Sequence, residues 1–147
     1  TGNGNWQYPA IFSAFSVPVL SLGSITSTPT ALGNIATFTK TGGSSVIDLV
    51  FNGHVSIASF GSASGVILEL RVDGLNTGFG NAQTVVWSQD AGRPVNVTIV
   101  GAFKNLAPGS HTISIWAMVP SGSGASTLFV NPGNWSDQLT VKEVLGN

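Results

Sequence analysis

Apolar and polar residues alternate with period two along most of this chain. From Ile47 the odd positions read Ile47, Leu49, Phe51, Gly53, Val55 and Ile57, while Asp48, Asn52, His54 and Ser56 stand between them. That is the pattern of a strand with one buried face. Val66, Leu68, Leu70 and Val72 repeat it against Glu69, Arg71 and Asp73; Val95, Val97, Ile99 and Phe103 against Asn96, Thr98 and Lys104; and Ile113, Ile115, Ala117 and Val119 form a further inward row. Leu139 and Val141 close the series.

Turn signals separate these rows: Thr41-Gly42-Gly43, Asp73-Gly74, Gly92-Arg93-Pro94, Pro108-Gly109 and Asn131-Pro132-Gly133-Asn134. Gly supplies positive φ and Pro a preset φ, and such punctuation recurs too often to leave room for helices. Strands are expected near 35–40, 45–58, 66–73, 83–89, 95–104, 110–119, 127–130 and 137–145. About eight strands separated by turns predict an all-β, two-sheet β-sandwich of the jelly-roll kind. Residues 6–22 carry Trp6, Tyr8, Phe12 and Phe15 in a Pro-interrupted run without a clean period. The expected division is therefore an N-terminal arm or linker over 1–34 and a β-sandwich head over 35–147, the arm lying along the sandwich edge or against a neighbouring subunit.

Composition sharpens this picture. Charged residues make up 7% of the chain, against about 25% in ordinary soluble domains. Ser, Thr, Asn and Gly supply the polar area instead, and mean hydropathy is +0.32. At 147 residues the chain is long enough for one core without staples, and it contains no Cys. Thiolate metal sites, Cys nucleophiles and disulfides are thereby excluded. Five scattered basic residues and a net charge of -1 argue against nucleic acid as a partner, since phosphate binding needs clustered Lys and Arg. The longest apolar-leaning run, over 8–22, is broken by Pro9, Ser13, Ser16 and Pro18, so membrane insertion is not expected, and it lacks the basic start of a signal peptide.

Candidate chemistry is thin. Glu69, Arg71 and Asp73 share one strand face and read as a solvated charge row. A glycosidase would need two carboxylates facing each other across a cleft, and no pair stands out. No Gly-x-Ser-x-Gly elbow occurs, so no catalytic residue is assigned. His54 and His111 are the only imidazoles and lack a nominated third ligand, and an oxygen cage from Asp73, Asn81 and Asp90 is poor in carboxylates; no metal or other cofactor is expected. Asn96-Val97-Thr98 and Asn134-Trp135-Ser136 match the glycosylation pattern, the first inside an expected strand.

Aromatic residues offer more, because an indole face beside side-chain amides can stack a sugar ring and bind its hydroxyls. Trp135 leads: it lies in a loop with Asn131, Asn134 and Asp137. Trp116 alternates with the inward row of its strand and so faces out of the core, toward an interface or a ligand. These five residues are the candidate binding set.

The order of the second half carries a resemblance. Leu106-Ala107-Pro108-Gly109-Ser110-His111-Thr112 turns into a strand ending in Trp116, a Gly/Ser loop and Asn131-Pro132-Gly133-Asn134 follow, and Leu139-Thr140-Val141-Lys142-Glu143 closes. Over roughly 35–145 this resembles the head modules of phage tail fibres and bacterial collagen-like proteins, which are similar to the tumour-necrosis-factor-like, complement-type jelly roll. The resemblance implies ten strands in two sheets, a homotrimer assembled through an apolar face, and recognition of a receptor or glycan on outer loops or between subunits. Together with the low charge, it points to a non-catalytic, extracellular or virion-surface structural or adhesive head. A monomeric carbohydrate-binding module using Trp135 is the rival, and a hydrolase a third reading.

Overall fold

The protein is described here by a computed structural model covering residues 10–75, 82–120 and 124–144. Ten strands form two antiparallel sheets, a β-sandwich jelly roll: β1 (Ala10–Ser16), β2 (Leu20–Ile25), β3 (Thr30–Lys40), β4 (Val46–Ile57), β5 (Gly65–Val72), β6 (Gln83–Trp87), β7 (Val95–Phe103), β8 (Gly109–Met118), β9 (Ala125–Val130) and β10 (Gln138–Val144). A 3₁₀ turn at Ser88–Asp90 is the only helical element among the described residues.

The four-stranded sheet runs β3-β8-β5-β6. In the six-stranded sheet β4 has β7 on one side, and on the other β10 and β9 lie end to end along it, Gln138–Val144 against Asn52–Val46 and Val130–Leu128 against Val55–Ile57. β1 continues the sheet beyond β10 and β2 beyond β9. The strand row thus breaks between Val130 and Gln138, opposite Gly53 and His54.

The inward rows meet between the sheets as expected. Ile47, Leu49, Phe51, Val55 and Ile57 from β4 are fully buried against Val66, Leu68, Leu70 and Val72 from β5 and Ile113 and Ile115 from β8. Side chains on alternate positions point to one face, so the period-two pattern translates directly into this core.

The first part of the chain differs from its sequence reading. Residues 10–25 supply β1 and β2 of the larger sheet, and the division at 34/35 falls inside β3. Their weak periodicity has a physical cause. β2 is only half covered along most of its length, reaching full burial at Ile25, and Phe12 of β1 points outward at 64% exposure. Both are outer strands, and their partners come from the far end of the chain. Trp6, Tyr8 and Asn81 lie outside the described residues.

Two buried polar side chains anchor the loop between β3 and β4. Glu143, on the inner side of β10, accepts the main-chain N–H of Thr41 at 3.0 Å and of Gly42 at 2.6 Å, with the Thr41 and Ser45 hydroxyls completing the cradle. Burial disfavours its charge, yet the Ser45 hydroxyl and these amides outweigh it and hold the carboxyl at about 2. Lys40, equally buried, donates from Nζ to the Gly42 carbonyl of the same loop.

Candidate functional site

Of the expected binding set, Asn131, Asn134, Trp135 and Asp137 lie in the gap between β9 and β10, and the geometry there gives most of them structural work. His54 on β4 pairs with Asn96 of β7 but has no strand partner on the β9–β10 side. The Asp137 carboxylate accepts the His54 main-chain N–H at 2.7 Å, and the Asn131 N–H donates to the His54 carbonyl at 2.8 Å. Asp137 also accepts from His54 Nδ1 at 2.7 Å. Asn131 Nδ2 donates to the Val17 carbonyl at 2.8 Å, and its Oδ1 accepts the Trp135 N–H. The two bonds to the His54 main chain replace missing ladder bonds, and those to Val17 and Trp135 satisfy loop main-chain groups.

Asn131 and Asp137 are accordingly 1% and 3% exposed, which corrects the expectation that their polar groups face a ligand. Asn134 is exposed and adopts the left-handed conformation, with φ of 50°. Trp135 is half-exposed, folded against Gly133, where an added Cβ would fall 2.3 Å from the indole, and it meets the His54 ring edge-on at 4.4 Å.

Trp116 stands elsewhere, on the outer face of the four-stranded sheet. Arg71 stacks on the indole, its guanidinium carbon 4.1 Å from the ring centroid, and the indole Nε1–H donates to Ser114 Oγ at 2.8 Å. Arg71 in turn donates from Nη2 to Glu69 Oε2 at 3.0 Å. Glu69 is fully buried beneath these two side chains, with Oε1 unpartnered, so the expected solvated charge row is a covered ion pair. The reason is its neighbourhood: Trp116 and Gln83 are its cross-strand partners, and Arg71 folds back over the indole.

Asp73 and Gly74 form a two-residue hairpin turn between Val72 and Leu75, with φ of 52° and 77°. Positive φ at both positions suits Asp-Gly. The Asp73 carboxylate accepts the Thr112 N–H at 2.9 Å and lies 2.6 Å from His111 Nδ1, while His111 Nε2 lies 2.8 Å from the Ala107 carbonyl. Two acceptors on two ring nitrogens are both satisfied only by the doubly protonated ring, which is the form this site favours. Burial opposes that charge, but the Asp73 hydrogen bond and the Ala107 carbonyl raise its pKa overall. Asp73 is desolvated too, yet the Thr112 amide and His111 lower its pKa.

Between these groups lies a pocket of about 370 Å³, lined by Ala31 and Asn34 of β3, Thr112, Ser114 and Trp116 of β8, and the Asp73-Gly74 turn. A second, smaller hollow of about 240 Å³ sits on the same face beside Val85 and Trp87. Ala31, Asn34 and the Asp73–His111 pair escaped sequence reading, although the Asp-Gly turn marked the place. Among the described residues no three His, Cys, Asp or Glu side chains converge to hold a metal ion, and no helix is long and apolar enough to cross a membrane.

No protein-family model matches the chain, and no curated protein matches it. Solved structures with similar strand arrangements include the C-terminal domain of EclA, a sugar-binding protein, at 13% identity and a TM-score of 0.46 over 85% of this chain and 78% of that one. Eiger TNF from S. frugiperda aligns at 11% identity and 0.47, over 95% and 94%. The CBM36-1 domain of a multidomain xylanase from the hindgut metagenome of Trinervitermes trinervoides aligns at 12% and 0.41, over 89% and 96%.

Proposed function

We propose that this chain is a non-catalytic recognition head, extracellular or on a virion surface, that assembles as a homotrimer through the outer face of its six-stranded sheet. The observation that carries this reading is the character of that face. Val50 and Val100 are cross-strand partners there, exposed at 37% and 62%, and the row they belong to continues through Thr140 and Ala14. In the adjoining row Lys142 and Asp48 stand directly opposite one another between Phe12 and Ala102, so the charges compensate within the face. Exposed apolar residues with little uncompensated charge characterise surfaces that stable oligomers cover. The resemblance to trimeric jelly-roll heads supplies the copy number.

Light scattering tests it: a particle of three 15.0 kDa copies is expected, and Val100→Lys, which places a charge on the most exposed apolar side chain of the Val50–Val100 row, on edge strand β7, is expected to give single copies with an unchanged strand spectrum. A native protein that remains one copy at micromolar concentration sinks the assembly.

A further inference from the structure

The opposite, four-stranded face holds a pocket whose chemistry identifies a ligand class. We propose that the cleft beside Trp116 binds a single neutral hexopyranose unit of a glycan; this deepens the recognition reading and rests on it. A volume of about 370 Å³ falls within the ~300–1,000 Å³ of small-ligand clefts. Its lining is amphiphilic in the way a pyranose is: an aromatic wall on one side, and an amide, a carboxylate and hydroxyls around it.

Each wall is pre-set. Arg71 reaches the indole from β5 and fixes the ring, whereas on the β3 side the cross-strand partner of Trp116 is Ala31, too short to cover it. Register shifts on either side of Asn34 leave Leu32 and Ile35 without partners on β8, and such bulges bend a strand and re-aim its side chains. The exposed Asn34 amide offers both a donor and an acceptor. Asp73 spends one lone pair of each carboxylate oxygen on His111 and Thr112 and retains acceptor capacity toward the pocket, held in place by the buried His111 ring. Ser114 Oγ accepts from the indole, which leaves its own proton to donate.

The charges select against other ligands. Asp73 lines the pocket and repels an anion. A cation is disfavoured because His111 already compensates Asp73, and Arg71 lies close enough to set Nη1 3.5 Å from the Gly74 carbonyl. A wholly apolar ligand would desolvate the Asn34 amide and the remaining lone pairs of Asp73 without replacing their hydrogen bonds to water. A neutral polyol with one apolar face satisfies all the groups at once.

The test is a titration of the full chain, in the presence of a chelator, with methyl glycosides of neutral hexoses and with neutral oligosaccharides, followed by tryptophan fluorescence and calorimetry. Saturable binding is expected for at least one hexoside configuration. Ala31→Phe, which fills the cleft from an exposed position, is expected to abolish it with melting temperature retained, and Asn34→Ala to weaken it about tenfold. If no hexoside or oligosaccharide binds, or if binding persists unchanged in both variants, the site is wrong. Mass measured on the same samples separates the two ideas: a trimer that takes no sugar overturns the site alone, and a single copy that binds overturns the assembly alone.

Discussion

His111 and Asp73, thirty-eight positions apart in sequence, meet at 2.6 Å where the β5 hairpin turn crosses the start of β8. The pair converts a tight turn into an anchored one. His111 has its pKa raised above the ordinary 6.5, so its contribution to stability is complete below 6.5 and disappears as pH rises through the raised value. Asp73 has its pKa lowered below 3.8, so its contribution is present above 3.8 and is lost as pH falls through the lowered value. Melting temperature is therefore expected to decline on the alkaline side of 6.5 and to stay level there in His111→Gln. A parallel decline in both proteins would show that the pair is not its cause.

Glu143 gives the acid counterpart. With its carboxyl held at about 2 against an ordinary 4.5, the stabilisation is present above 4.5 and lost as pH falls toward 2. Glu143→Gln removes the charge that four donors surround, and at neutral pH a loss on the order of 3 kcal/mol is expected by denaturant titration. A cost below about 1 kcal/mol would mean that the cradle relaxes around the amide.

Arg71 and Glu69 should behave as one unit. Arg71→Ala leaves a fully buried carboxylate without its partner, and breaking such a pair costs about 3–5 kcal/mol. Replacing both, as Glu69→Leu with Arg71→Met, is expected to recover most of that loss. A double-mutant cycle measures the coupling, and additive effects would refute it.

For the loop between β9 and β10, opposite outcomes are expected from neighbouring residues. Asp137→Ala strips the buried His54 N–H of its acceptor and should cost about 1–3 kcal/mol. Trp135→Ala, at a half-exposed position, should change tryptophan emission while leaving hexoside affinity intact. Loss of binding in Trp135→Ala would return the ligand to this loop.

How much of this was legible in the sequence follows from where each pattern comes from. The alternation through Ile47–Ile57 and Ile113–Val119 survives because those strands have one face wholly inside. The same alternation placed Trp116 outside the core. β1 and β2 stayed hidden because an outer strand tolerates Phe12 in solvent, and because Pro9 and Pro18 resemble linker residues. Asn131 and Asp137 were attractive as ligand groups for the very chemistry that buries them: short polar side chains close hydrogen bonds where the ladder stops, and no local pattern reveals that His54 faces that gap. Asn34 could not be placed because two register shifts in β3 break the count of inward and outward positions.

The position of β10 has a consequence for how the protein is made. It is inserted between β1 and β4, yet it follows every other strand of the described residues. While the polypeptide emerges from a ribosome, β1 has no strand partner and the Val46–Asn52 stretch of one edge of β4 stays open until residue 144 has been synthesised. The larger sheet therefore closes in one late step, by capture of a strand whose partners are as remote as Ala10. Such non-local closure is slow and leaves bare edges exposed while it is pending. A nascent chain stalled before Gln138 would offer those edges to its neighbours, and its copies would meet by their strand edges before any finished sheet face exists to bring them together.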